Sequence, residues 1–148
     1  MISGRLPAVA ELLPHRPPMI LIDEIVEVDE GSLTARVWLT ESSMFVEDGK
    51  LPALVTLEYM AQSIAAFAGA IRRAEGKPVR VGLLIACREM ELEVDSLSVG
   101  DELLVTVKQV WTGERLGSFD CFVTRGGEKI SSASLSVYQG DLSLEAAG

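Results

Sequence analysis

The chain has 148 residues and a mass of 16.0 kDa, the size of a single globular domain. Hydrophobic residues make up 48% of it and aromatic residues only 5%, so an aliphatic core is expected and the chain is not of the disordered class. The formal net charge of −9 argues against a general nucleic-acid binder, which needs an excess of basic residues.

The residues that bind metals and form disulfides are scarce. The chain has two cysteines, Cys87 and Cys121, and one histidine, His15. This is too few for a disulfide framework or a histidine-rich metal cluster, so neither a metal nor a cofactor is expected. The first residues contain no apolar signal segment, which favours a cytoplasmic protein with free thiols.

The predicted elements follow one another without repeats. A short helical turn (8–13) stopped by Pro14 precedes a hairpin of two strands (19–29 and 32–40). A polar loop leads to a long helix that Pro52 opens and Gly76 ends. Four further strands are predicted, at 80–94, 102–111, 117–125 and 129–138, the last two joined by a Gly-Gly turn. Residues 1–140 form one domain in this interpretation, and 141–148 a frayed tail.

The long helix carries the main argument for the fold. The 21 residues Leu51–Ile71 contain one charged side chain, Glu58, and are long enough to cross a bilayer. Their second half is rich in alanine and glycine, and the β-rich remainder would have no core without this helix. We therefore expect protein to cover it, with no membrane span. The pattern predicts an α+β hotdog fold, with one antiparallel sheet wrapped around the helix and open edges that pair into dimers.

Three segments then resemble one enzyme family. LLPHRPPMILID at 12–23, LEYMAQ at 57–62 and LSVGD at 97–101 are similar to motifs of the β-hydroxyacyl-acyl-carrier-protein dehydratases of fatty-acid synthesis. The resemblance covers nearly the whole chain. It implies a hotdog dimer with active sites at the dimer interface, acting on thioesters of acyl carrier protein or coenzyme A.

One departure from that family concerns the catalytic base. Gap-free alignment back from Glu58 places the family's loop histidine at Met44. Dehydration needs a base for the α-proton and an acid for the departing hydroxyl, and methionine is neither. In this respect the chain resembles the dehydratase-like proteins of aryl-polyene gene clusters, which lack that histidine.

Glu58 is the first candidate catalytic residue. A carboxylic acid in apolar surroundings suits proton donation to a leaving hydroxyl. Gln62, one helical turn away, is expected either to orient that carboxyl in the substrate site or to pack as a structural amide. His15 is expected to bond nearby backbone, as the family resemblance implies. The alternative is that this sole imidazole has taken over the base role.

Other positions complete the predicted site. The free amides at the start of the helix, including those of Ala53 and Leu54, are expected to polarise the thioester carbonyl. The resemblance supports this, although the family has glycine at Ala53. Cys87 is expected to be inert core.

A cluster of basic residues is expected where the helix ends, at Arg72, Arg73, Lys77 and Arg80. It either complements the helix dipole or docks an acidic carrier protein.

Two function classes remain open. The first is a 3-hydroxyacyl thioester dehydratase, working either as a homodimer through His15 and Glu58 or as half of a heterodimer whose other subunit supplies histidine. The second is a hotdog protein that binds acyl thioesters or hydrolyses them, with Glu58 activating water.

Overall fold

The computed structural model describes residues 6–80 and 82–139, and the predicted tail at 141–148 lies outside this range. Its elements in chain order are α1 (Val9–Leu12), β1 (Glu24–Val28), β2 (Ser32–Trp38), β3 (Lys50–Pro52), a 3₁₀ turn (Ala53–Val55), α2 (Thr56–Ala74), β4 (Gly82–Leu92), β5 (Ser96–Ser98), β6 (Glu102–Thr112), β7 (Leu116–Arg125) and β8 (Glu128–Gln139).

One antiparallel sheet wraps the long helix, as the sequence predicts. Its strand order is β1-β2-β6-β7-β8-β4, and β3 pairs with β5 in a separate two-stranded ribbon. Alternate residues of the strands face inward, and the apolar side chains of this concave face are buried against α2. The helix thus forms the centre of the core, and the α+β hotdog architecture is confirmed.

The helix itself satisfies the length and hydropathy criteria of a membrane span. Of the most apolar part of the segment Ala53–Ala74, 56% is buried inside the protein. Tyr59 and Phe67 are among its fully buried side chains. The ring of Phe67 packs against the ring of Phe119, a residue of the sheet, in an edge-to-face arrangement. In this fold it is the core helix.

The motif at 97–101 closes the turn between β5 and β6. Gly100 has a φ of +96°, which glycine adopts without strain. The Asp101 carboxylate accepts a hydrogen bond from the Ser98 amide at 2.9 Å and pairs with Arg125 at 3.0 Å. Burial alone would raise the pKa of Asp101, but these hydrogen bonds and the arginine charge lower it overall.

The first predicted strand is only half right. The sequence predicts a strand over 19–29, but β1 begins at Glu24. Residues 19–21 instead cross the helix, where the Gln62 side chain bonds their backbone. The hydrophobic periodicity of residues 19–29 does not reveal this, because their backbone hydrogen bonds here go to a side-chain amide and not to a neighbouring strand.

Cys87 was expected in the core, and this is wrong. It is exposed on β4, the last strand of the sheet, where Leu83, Leu84 and Ile85 are also 40–54% exposed. An apolar run predicts burial, but it does not tell whether the same chain or another one provides it.

A close approach between the two helices gives a first prediction. A Cβ added at Gly69 would collide with the backbone carbonyl of Leu12, whereas one added at Gly31 would meet nothing within 4 Å. We expect Gly69→Ala to lower the free energy of unfolding by about 1–3 kcal/mol or more, through overpacking. Gly31→Ala should change it by less than about 0.5 kcal/mol. Urea unfolding of the two variants checks this, and equal stability would contradict the packing described.

Candidate active site

Gln62 joins the helix to the segment that precedes β1. Its Oε1 accepts a hydrogen bond from the Leu21 amide at 2.8 Å, and its Nε2 donates to the Met19 carbonyl at 2.7 Å. The residue is 1% exposed, so these bonds satisfy an amide that would otherwise be costly to bury. The same Nε2 also donates to Glu58 Oε1 at 3.2 Å.

Glu58 lies in the first turn of α2 and is half-buried. Within residues 6–80 and 82–139, Gln62 is the only hydrogen-bond donor to its carboxylate. The spacing of four residues that placed Gln62 on the same helix face therefore also identified the group that orients Glu58. One carboxylate oxygen is held in this way, and the other accepts no hydrogen bond from the described residues.

Glu58 and His15 line the same cavity of about 340 Å³. Helix residues Ala61 and Ala65 form one wall, and Leu84 of β4 belongs to the opposite one. The chain thus brings together the only imidazole and the candidate acid, between the helix and the exposed edge strand.

The His15 ring does not make the structural hydrogen bond that the family resemblance implies. Its Nδ1 is enclosed and has no hydrogen-bond partner within the described chain, and the His15 backbone carbonyl instead accepts from Arg16. No hydrogen bond joins His15 to Glu58 in that same part of the chain. The ring is therefore near the carboxylate without being oriented by it.

Met44, the position aligned with the family histidine, lies elsewhere. It lines a different cavity of about 440 Å³ with Asp23 and Tyr59, and the two cavities have no lining residue in common among the described residues. Burial and, to a smaller extent, the charge of Glu24 raise the pKa of Asp23, while its bond from the Trp38 amide opposes this. Burial and the nearby Asp23 charge raise the pKa of Tyr59 to about 12, so its phenol stays protonated at neutral pH.

The predicted carbonyl-polarising amides do not line the Glu58 cavity either. The Ala53 amide donates to the Asp95 carbonyl at 3.0 Å, which corrects the expectation that it is free. Leu54 is 59% exposed and lies outside the cavity wall. In one chain, Glu58, Gln62 and His15 therefore line one cavity, Met44 lines another, and Ala53 lines neither of the two.

The basic cluster is weaker than its sequence suggests. Arg73 pairs with Glu11 at 3.4 Å, and Lys77 with Glu75 at 3.4 Å. Arg72 donates to the Pro78 carbonyl at 2.8 Å, while Arg80 has no ion-pair partner within the described residues.

Comparison with known proteins decides the family. The model of the ApeP-like family, described as ApeP dehydratase, matches residues 7–147. The chain belongs to the ApeP-like dehydratase family. A 3-hydroxyacyl-[acyl-carrier-protein] dehydratase FabZ from Brucella melitensis is 30% identical over 141 residues, covering 86% of this chain and 83% of the relative. This confirms the prediction of a dehydratase-like protein.

Two solved structures share the fold. The dehydratase heterocomplex ApeI:P from Xenorhabdus doucetiae superposes with a TM-score of 0.89 at 24% identity, over 97% of this chain and all of the matched chain. A hypothetical thioesterase protein with coenzyme A from Streptococcus pneumoniae gives a TM-score of 0.63 at 13% identity, over 80% and 85% of the two chains. At these identities, both likenesses concern the fold.

The Gln62 bonds give a second prediction. Replacing Gln62 with leucine leaves the Leu21 amide and the Met19 carbonyl without partners, so we expect a loss of about 1–3 kcal/mol in the free energy of unfolding. Glu58→Gln is the matched control, because it keeps both backbone bonds of Gln62 and should change stability by less than about 0.5 kcal/mol. Urea unfolding measures both, and a Gln62→Leu protein as stable as the parent would refute this role.

Proposed function

We propose that this chain supplies the acid of a composite dehydratase site in a heterodimer, and that the partner subunit supplies the base. The observation that carries the proposal is the separation of Glu58 from Met44 into two cavities of one chain. If the family's histidine position serves the carboxylate of the other chain, a chain with Glu58 and Met44 provides half of one working site.

The chemistry is the loss of water from a 3-hydroxyacyl thioester. The partner's histidine takes the α-proton, the C–H electrons form the new double bond, and the C–O bond to the β-hydroxyl breaks. Glu58, held by Gln62, donates the proton that turns the departing hydroxyl into water. The product is the enoyl thioester, and the substrate is carried by acyl carrier protein or coenzyme A.

The state of Ala53 supports the same division of labour. Its amide is bonded to Asp95 and is not available to a thioester carbonyl. The carbonyl is then polarised by amides of the partner, beside the partner's histidine. Both departures from the family, Met44 and Ala53, then concern functions that the partner supplies.

Strand β4 is the proposed surface for the partner. It is an 11-residue edge strand with exposed Leu83, Leu84 and Ile85, and it borders the Glu58 cavity.

The opposite edge, β1, has five residues and carries Glu24 and Glu27. The pairing is irregular at one point in β1 and at two points in β4, and β4 also carries Arg88, Glu89 and Glu91, so the two edges differ in length and in exposed apolar side chains. A long edge strand with exposed apolar side chains is the one more open to pairing, so β4 is the edge that we propose pairs with the partner. The structurally similar dehydratase heterocomplex ApeI:P supports a dimer made of two different subunits. The proposal includes a cytoplasmic location.

The alternative is a homodimer in which His15 is the base. The cavity that His15 shares with Glu58 favours this version. A thioesterase reaction, with Glu58 activating water, would release the free acid instead of the enoyl thioester. An assay that separates these two products distinguishes the reactions.

A third prediction tests the role of Glu58 as the acid. Purified with a histidine-bearing hotdog subunit, the chain should dehydrate a 3-hydroxyacyl-carrier substrate. Glu58→Gln should then lower kcat by about 10²–10⁴-fold with the assembly intact, because the acid is lost. Glu75→Gln, at the other end of the same helix, is the matched control and should leave kcat unchanged. Product formation by mass spectrometry and assembly by gel filtration are the two readouts.

His15→Ala gives the fourth prediction. It should change the rate less than about threefold if the partner brings the base, and lower it by about 10²-fold or more if His15 is the base. Full activity of this chain alone, surviving His15→Ala, would overturn both versions of the proposal.

A further inference from the structure

Two arginines, Arg72 in the last turn of α2 and Arg80 shortly after it, line a third cavity, which we call the polar cavity. Of the four basic residues there, Arg73 and Lys77 are engaged in ion pairs. Arg72 and Arg80 instead border a cavity of about 170 Å³ between the helix and the sheet. No acidic side chain lines this cavity among the described residues, so its positive charge is not neutralised there.

The polar cavity is continuous with the cavity that Glu58 lines. The two share Ala65, Gly82 and Gln139 as lining residues, so they meet along one side of α2. From Ala65 the helix side continues with Ala68 and Ile71, which gives an apolar wall for a hydrocarbon chain. A groove thus leads from the acid along the helix to Arg72.

The far end of the groove is polar. Gln109 and Thr112 of β6 line it opposite Arg72 and Arg80. From Glu58 to Arg72 the helix rises by about 21 Å, at 1.5 Å per residue. A terminal methyl group of a long acyl chain would end there beside two guanidinium groups, whereas an oxygen acceptor would receive hydrogen bonds from them.

We propose that this cavity selects 3-hydroxyacyl substrates whose far end carries an anionic or strongly hydrogen-bond-accepting oxygen group, bound by Arg72 and Arg80. The inference rests on the proposed function, because it assumes that the acyl chain starts at Glu58. The two arginines are then specificity-determining residues that touch the end of the substrate and not its reacting atoms.

The test compares substrates of equal length that differ only at the far end. 3-Hydroxyacyl thioesters long enough to span the groove, ending in a methyl, a hydroxyl or a carboxylate group, are assayed with the assembled enzyme. We expect kcat/KM to be about tenfold higher for the carboxylate than for the methyl, with the hydroxyl between them, as a charge-assisted hydrogen bond provides. The double variant Arg72→Leu with Arg80→Leu should lose this preference and keep the activity on a short substrate.

Arg73→Leu is the matched control, since Arg73 pairs with Glu11 and does not line the cavity. It should keep the full preference. Binding of the same thioesters to the Glu58→Gln assembly, measured by calorimetry, gives a readout that needs no turnover. Equal affinity for methyl and carboxylate ends, or a preference that survives the double variant, would overturn the inference.

The outcomes separate the two proposals. Dehydration of short substrates without any end-group preference refutes the polar cavity and leaves the dehydratase site standing. End-group-selective binding without dehydration by any assembly refutes the dehydratase site and leaves the polar cavity standing.

Discussion

The side chain of Gln62 is the contact on which the site depends. A single buried amide holds the backbone at Met19 and Leu21 and one oxygen of Glu58. The segment that carries His15 is thereby held over the helix, and the cavity between them takes its shape. Under the proposed function, stability and catalysis share this group, because the same side chain holds the entering segment and bonds the Glu58 carboxylate.

The open side of the molecule is the second constraint. A sheet that ends in a long strand whose first half is apolar leaves backbone groups and leucine side chains exposed, and such an edge is a typical site of pairing. The Glu58 cavity opens beside that strand, with half-buried alanines of α2 as its floor. Pairing at β4 would therefore cover the strand and enclose the cavity at once, so that the active site forms only with the assembly.

The sequence predicts the fold well because its signals are local. Gly76 and the Gly126-Gly127 pair have positive φ angles at the predicted helix end and turn, and burial alternates along β2 and β7. The predictions that fail depend on contacts between residues that are far apart in the sequence. The bonds from Gln62 replace a strand at residues 19–21, and Cys87 is exposed because it lies on the last strand of the sheet. Within the site, helical spacing predicted Glu58 beside Gln62, but nothing local indicated that Asp95 occupies the Ala53 amide.

A site divided between subunits changes what each chain must keep. In a dimer of like chains, each chain must carry both base and acid, and loss of either removes both sites. Once an unlike partner brings the base, the base side of this chain is released from the chemistry. Methionine at position 44 and a bonded amide at Ala53 are then tolerated, while Glu58, Gln62 and the groove beside them remain under the demands of the reaction. The asymmetry within this chain is thus what the proposed heterodimer, with one working site, would lead one to expect.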